Sequence, residues 1–154
     1  MVIEFKSVGE PTTARRLQPV VNEIPIGIKT PLRLGDQNDG IFSMHFNLAK
    51  QIHDNFRNLL LTNHGERLGQ FNFGANLREL SLELGRDDFD SEAVIRIRGA
   101  INSFMPFIEP KTFESSVITD DLTSIGKVLI KITYDVPRLN IANKGIGVII
   151  FVGG

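Results

Sequence analysis

Apolar and polar positions along the chain change period as the sequence proceeds. Through residues 1 to 40 no period holds. Short apolar pieces, Val2 to Phe5 and Ile24 to Ile28, are separated by Pro11, Pro19, Pro25 and Pro31, and Gly35 to Gly40 is a polar turn cluster. Proline has no amide proton and a fixed φ, so this density excludes a helix and predicts an extended, Pro-rich N-terminal arm over residues 1 to 40. The spacing then becomes helical. Leu48, Ile52, Phe56, Leu59 and Leu60 form one stripe, with Lys50, Gln51, Asn55 and Arg57 off it. That pattern predicts a first helix over roughly residues 42 to 61. Thr62-Asn63-His64-Gly65 marks its end, where Gly65 can take the left-handed conformation that closes a helix.

A turn containing Phe71, Phe73 and Gly74 follows, then Leu77, Leu80 and Leu84 at the spacing of a short second helix. A third helix is signalled by Asp90 or Ser91 as cap and Glu92 in the first turn. Val94, Ile97, Ile101 and Phe104 line one face until Pro106 forbids continuation. Beyond it the period drops to two. Val128, Ile130, Ile132, Tyr134 and Val136 alternate with Leu129, Lys131, Thr133 and Asp135, and Ile146, Val148, Ile150 and Val152 alternate with Gly147, Ile149 and Phe151. Phe113 to Thr119 reads as one further strand. The expected fold class is α+β: about three helices packed on one face of a small antiparallel sheet, as a single domain over residues 41 to 154 behind the arm.

Composition narrows the function more than the fold. The 17 Lys and Arg nearly cancel the 18 Asp and Glu, so no long-range field draws the chain to nucleic acid or to an anionic membrane surface. With no Cys, disulfides, thiolate zinc sites and Cys nucleophiles are excluded. The start, MVIEFKSVGE, lacks the pattern of a secretory signal, and no stretch approaches the ~20 apolar residues of a membrane span, so synthesis in the cytoplasm is expected.

Candidate chemistry is sparse. His45 and His53 stand eight apart with Ala49 between them, which gives no i, i+4 ligand pair, and His64 falls at the helix end. The carboxylates Glu66, Glu79, Glu83, Asp87, Asp88 and Asp90 lie in polar surroundings that keep them ionised, whereas a glycosidase needs one carboxyl held protonated in an apolar pocket. Gly145-Ile146-Gly147 precedes a strand and lacks the context of a dinucleotide loop, and no Gly-x-Ser-x-Gly occurs. No catalytic residue, cofactor or metal site is expected. Most of the 11 Phe fall on apolar stripes, where packing explains them better than base stacking.

Leu59-Leu60-Leu61-Thr62, Gly65-Glu66-Arg67, Phe73-Gly74 and Leu77 together resemble the signature of a known family: baseplate wedge and sheath-initiator proteins of contractile phage tails. The family is shared with type VI secretion baseplates and was historically labelled lysozyme-like. Leu68 stands where many members have Pro, and Ile26-Gly27-Ile28-Lys29 with Pro31-Leu32 is similar to their lead-in. The resemblance covers residues 24 to 136. A second family feature, Glu-Pro-Arg after the long helix, is degenerate. Met105-Pro106-Phe107 occupies its place, and Glu109-Pro110-Lys111 follows four residues later.

The resemblance implies a non-enzymatic part of the virion. The protein would be a baseplate wedge component present in several symmetry-related copies, binding other wedge subunits and the sheath protein and initiating sheath assembly. In the family, the Glu-Pro-Arg motif docks on the wedge's core helical bundle. Candidate partner-binding residues are Arg67, Met105, Pro106 and Phe107, and the last strand through Ile146, Val148, Ile150 and Val152, while Gly65 and Gly74 are structural turns. Two rival readings are an anti-adaptor regulator sharing this fold and a glycan hydrolase. The latter inherits only the old family label.

Overall fold

The structure, a computed structural model, describes residues 24–35, 40–80, 89–119 and 126–152. Most of the arm, Leu84, and the side chains of Ile118 and Val152 lie outside that description.

The described residues form two antiparallel sheets and three α-helices, in the order β1 (Gly27–Ile28), β2 (Met44–His45), α1 (Leu48–Leu61), α2 (Leu77–Leu80), α3 (Phe89–Phe104), β3 (Glu109–Thr119), β4 (Gly126–Val136) and β5 (Ile141–Val152). The expected α+β class holds. The small sheet pairs β1 with β2, and an isolated bridge, Leu34 to Phe42, extends this N-terminal hairpin. The larger sheet runs β3-β4-β5 as a meander.

The first helix begins later than its apolar spacing suggests. Asn47 is its N-cap, with Oδ1 accepting from the amides of Ala49 at 2.9 Å and Lys50 at 3.3 Å, and Phe42, Met44 and His45 pair in the hairpin instead. Its C-cap is Thr62, not Gly65: the Thr62 amide and hydroxyl both donate to the Asn58 carbonyl, at 3.1 and 2.6 Å. In α3, Asp90 and Ser91 sit inside the first turn instead of capping it. The strands start earlier than their alternation shows, β3 by four residues and β5 by five.

Alternation in the sheet sets the core. Val128, Ile130, Ile132, Tyr134 and Val136 of β4 and Ile146, Val148 and Ile150 of β5 are buried on one face, which α1 and α3 cover. From α1, Ile52, Phe56, Leu59 and Leu60 enter this layer, each burial stabilising by about 1.5–3 kcal/mol. The Phe56 ring meets Tyr134 edge to face at 4.9 Å. A 3-10 turn, Pro137–Leu139, and Asn140 at φ +52° reverse the chain into β5. A bulge follows in which Asn143 (φ +54°) donates its amide to Asp135 Oδ1 at 2.8 Å.

The hairpin is clipped to α1 by one carboxylate. Asp54 Oδ2 accepts from the Thr30 amide at 3.0 Å and lies 2.7 Å from His45 Nε2. Burial opposes its charge, but the bonds from His45 and Thr30 prevail and hold it below its ordinary 3.8. Because the folded value lies below the unfolded one, this contribution is complete above the unfolded value and is lost as pH falls through the folded one. Asp54→Ala leaves the Thr30 amide and the His45 ring without their acceptor, an expected cost of about 2 kcal/mol concentrated in the hairpin. Limited trypsin digestion at Lys29 and Arg33 reads it: cleavage should accelerate in the variant at neutral pH and leave residues 89 to 152 intact.

Candidate functional site

Two surfaces collect the residues singled out by sequence. The first is a groove of about 770 Å³ between the end of α1, the loop that follows it and the end of α3, lined by Arg67, Phe73, Phe104, Met105 and Phe107 among others. The loop is fixed by its own bonds. Gly65, at φ +84°, donates its amide to the Phe71 carbonyl at 2.8 Å, and Asn63 donates backbone and side-chain hydrogens to the Glu66 carboxylate, both at 2.8 Å. Those bonds, the side-chain one foremost, hold Glu66 below the usual carboxylate range. Gly74, at φ +111°, brings the backbone against the Thr62 carbonyl, and the next amide, of Ala75, donates to Leu59 at 3.1 Å. This return places Phe73 against Phe104, edge to face at 4.9 Å, and sets the Arg67 guanidinium over the Phe73 ring at 4.3 Å.

Arg67 is therefore brought together with Met105 and Phe107, 38 and 40 residues further along the sequence. Met105 is buried with the core, Phe107 is half-buried against it, and Pro106 is exposed in the turn to β3. An apolar floor under a guanidinium, with Glu66 at the rim, suits a protein surface better than a small metabolite.

The second surface is the edge of β5. Ile146, Val148 and Ile150 point into the core, so the strand can offer a partner its backbone edge and its outer row, Ile149 and Phe151, both exposed. The two edges of the sheet differ. β3 carries Pro110, a register shift at Lys111 and the charges of Glu109, Lys111 and Glu114, all devices that block strand addition. β5 from Lys144 to Val152 has no proline, keeps unbroken register with β4, and carries Lys144 as its one charge. No strand pairs with its outer edge among the described residues.

The histidines hold structural positions that their sequence spacing conceals. His45 is in β2, not on α1, and pairs with Asp54. His53 Nδ1 lies 3.0 Å from the buried Tyr134 hydroxyl, across 81 residues. Among the described residues no group of three potential ligands could hold a metal ion. Several of the described carboxylates are charge-paired. Glu79 and Glu92 bind Arg96, Asp135 lies near Lys111, and Asp54, the deepest of the paired ones, is held ionised. A glycosidase acid needs the opposite shift.

No protein family and no curated protein matches the chain by sequence. Solved structures do match in fold. A chain of the anti-feeding prophage baseplate, from a six-fold symmetrised reconstruction, superposes with a TM-score of 0.53 at 16% identity, over 80% of this chain and 81% of that one. A Geobacter sulfurreducens protein described as a tail lysozyme superposes with a TM-score of 0.52 at 20% identity, over 68% of this chain and 89% of that one. The protein therefore shares its fold with a prophage baseplate component.

Proposed function

We propose that the protein is a non-enzymatic structural component of a contractile-tail baseplate, present in several copies, that docks on other wedge subunits through the Arg67–Phe107 groove and templates the sheath through β5. The observation that carries this reading is the asymmetry of the sheet. One edge is defended against strand addition, while the other presents nine residues of regular, largely apolar strand. A soluble chain with such an edge is an aggregation hazard unless a partner covers it. The shared fold with a prophage baseplate chain supplies the setting. Further exposed apolar side chains, Ile24, Leu34 and Ile41 in and beside the hairpin, suit a subunit embedded among neighbours.

The groove is tested by Phe107→Ser and Arg67→Ala in chain co-expressed with the wedge proteins of its tail. Both side chains are partly solvent-facing, so folding is retained while recovery of the wedge complex falls about tenfold or more, the behaviour of an interface anchor. Undiminished recovery with both variants would remove the groove from the account.

A further inference from the structure

Beside the start of the open stretch of β5 is a second hollow, of about 400 Å³, lined by His45, Ala49, Lys50, His53, Asp54, Tyr134, Lys144 and Gly145. Strand register sets Lys144 directly opposite Tyr134, on the helix-facing side of the sheet. Lys50 and Lys144 are both exposed, and neither has an ion-pair partner among the described residues.

The hydrogen-bond network assigns the third polar group. Burial pushes the Tyr134 hydroxyl's pKa up, so it keeps its proton, and among the described residues His53 Nδ1 is its hydrogen-bond partner. When the hydroxyl donates to Nδ1, the neutral ring carries its proton on Nε2, which is then a donor. Asp54, the one carboxylate of the lining, is turned to internal use by Thr30 and His45. The hollow thus combines apolar walls, Ala49 and the Tyr134 ring, with two ammonium groups and the His53 ring, and its acidic member is already satisfied.

We propose that this hollow is a carboxylate socket that receives an aspartate or glutamate side chain of the strand added along β5, and so fixes that strand's register. The proposal rests on the reading of β5 as a templating edge. An apolar edge alone specifies register weakly, because shifts by two residues preserve the same faces. A charge anchored at one end removes that degeneracy. Lys144 is the first residue of the unbulged stretch, so the carboxylate belongs at the terminal position of the incoming strand: its last residue if addition is antiparallel, its first if parallel.

The test uses the full chain and three synthetic eight-residue peptides of alternating valine and threonine, followed by fluorescence anisotropy. One carries glutamate at its first position, one carries it at its last, and one carries glutamine at both ends. One of the two glutamate peptides should bind about tenfold more tightly than the glutamine peptide, the scale of a partly shielded pair of charges. That gain should vanish in Lys144→Gln combined with Lys50→Gln and at high salt, while binding of the glutamine peptide is unchanged. Equal binding of all three peptides overturns the socket and leaves the edge reading intact. A glutamate preference that survives the double variant also overturns it. Binding of none overturns the edge reading, and the socket with it.

Discussion

Gly74→Ala is expected to cost about 3–5 kcal/mol, because the added Cβ would meet backbone and not a side chain that can swing away. A Cβ at Gly74 would overlap the Thr62 carbonyl oxygen and lie 2.7 Å from its carbon, and φ there is +111°. Relief requires the loop to part from the end of α1. That breaks the Ala75 to Leu59 hydrogen bond and withdraws Phe73 from Phe104, so the groove is lost together with the stability. The other glycines of the region grade the effect. Gly65→Ala, at φ +84° with the Phe71 ring 3.1 Å away, should cost about 1–2 kcal/mol, and Gly69→Ala, at φ +78° with nothing near, about 1 kcal/mol. Urea denaturation of the three variants gives the order directly. Equal losses at Gly74 and Gly69 would show that the Thr62 approach is not what holds the loop.

The largest contrast is expected between neighbours on β5. Val148 is buried against the helices, and Val148→Lys places an unpaired ammonium in the core, which should remove about 4 kcal/mol or more and unfold the domain. Ile149 lies on the opposite face, 46% exposed, and Ile149→Lys should change stability by about 1 kcal/mol or less. Yet a lysine on an open edge is one of the devices that stop strand addition, so on the proposed templating role the folded Ile149→Lys protein should fail to nucleate sheath rings. Thermal denaturation and electron microscopy of tails carrying each variant separate the two outcomes. Removing residues 146 to 154 is a poorer test, since it takes Ile146, Val148 and Ile150 out of the core.

The sheet and α3 were legible because each carries an apolar face with an unmistakable period: Val128 to Val136 at spacing two, Ile97 and Ile101 at helical spacing, and Pro106 as a stop. The start of α1 was not. Apolar residues continue upstream of Leu48, and periodicity alone does not show that Asn47 turns its side chain onto the first amides. The strands' polar starts, Glu109 to Thr112 and Ile141 to Gly145, carry no alternation and are held by pairing with β4. Of the site, the loop glycines and Arg67, Met105 and Phe107 were readable from the family resemblance, but their convergence depends on the return at Gly74. The pairs His45–Asp54 and His53–Tyr134 gave no signal, because they join residues from different elements. The difference between the sheet edges likewise needed the strand order: Pro110 protects an edge only if β3 is at one.

Hydrogen–deuterium exchange over residues 144 to 152 bears most directly on the central claim, that β5 is an open edge which the assembled tail closes. In an antiparallel edge strand about half of the amides bond inward to the neighbouring strand and half face out. The account predicts that in the free, folded chain about half of the amides of this segment are protected through β4, and that in purified tails the remaining half become protected as well. Full protection already in the free chain, or the same half-protection before and after assembly, would contradict it.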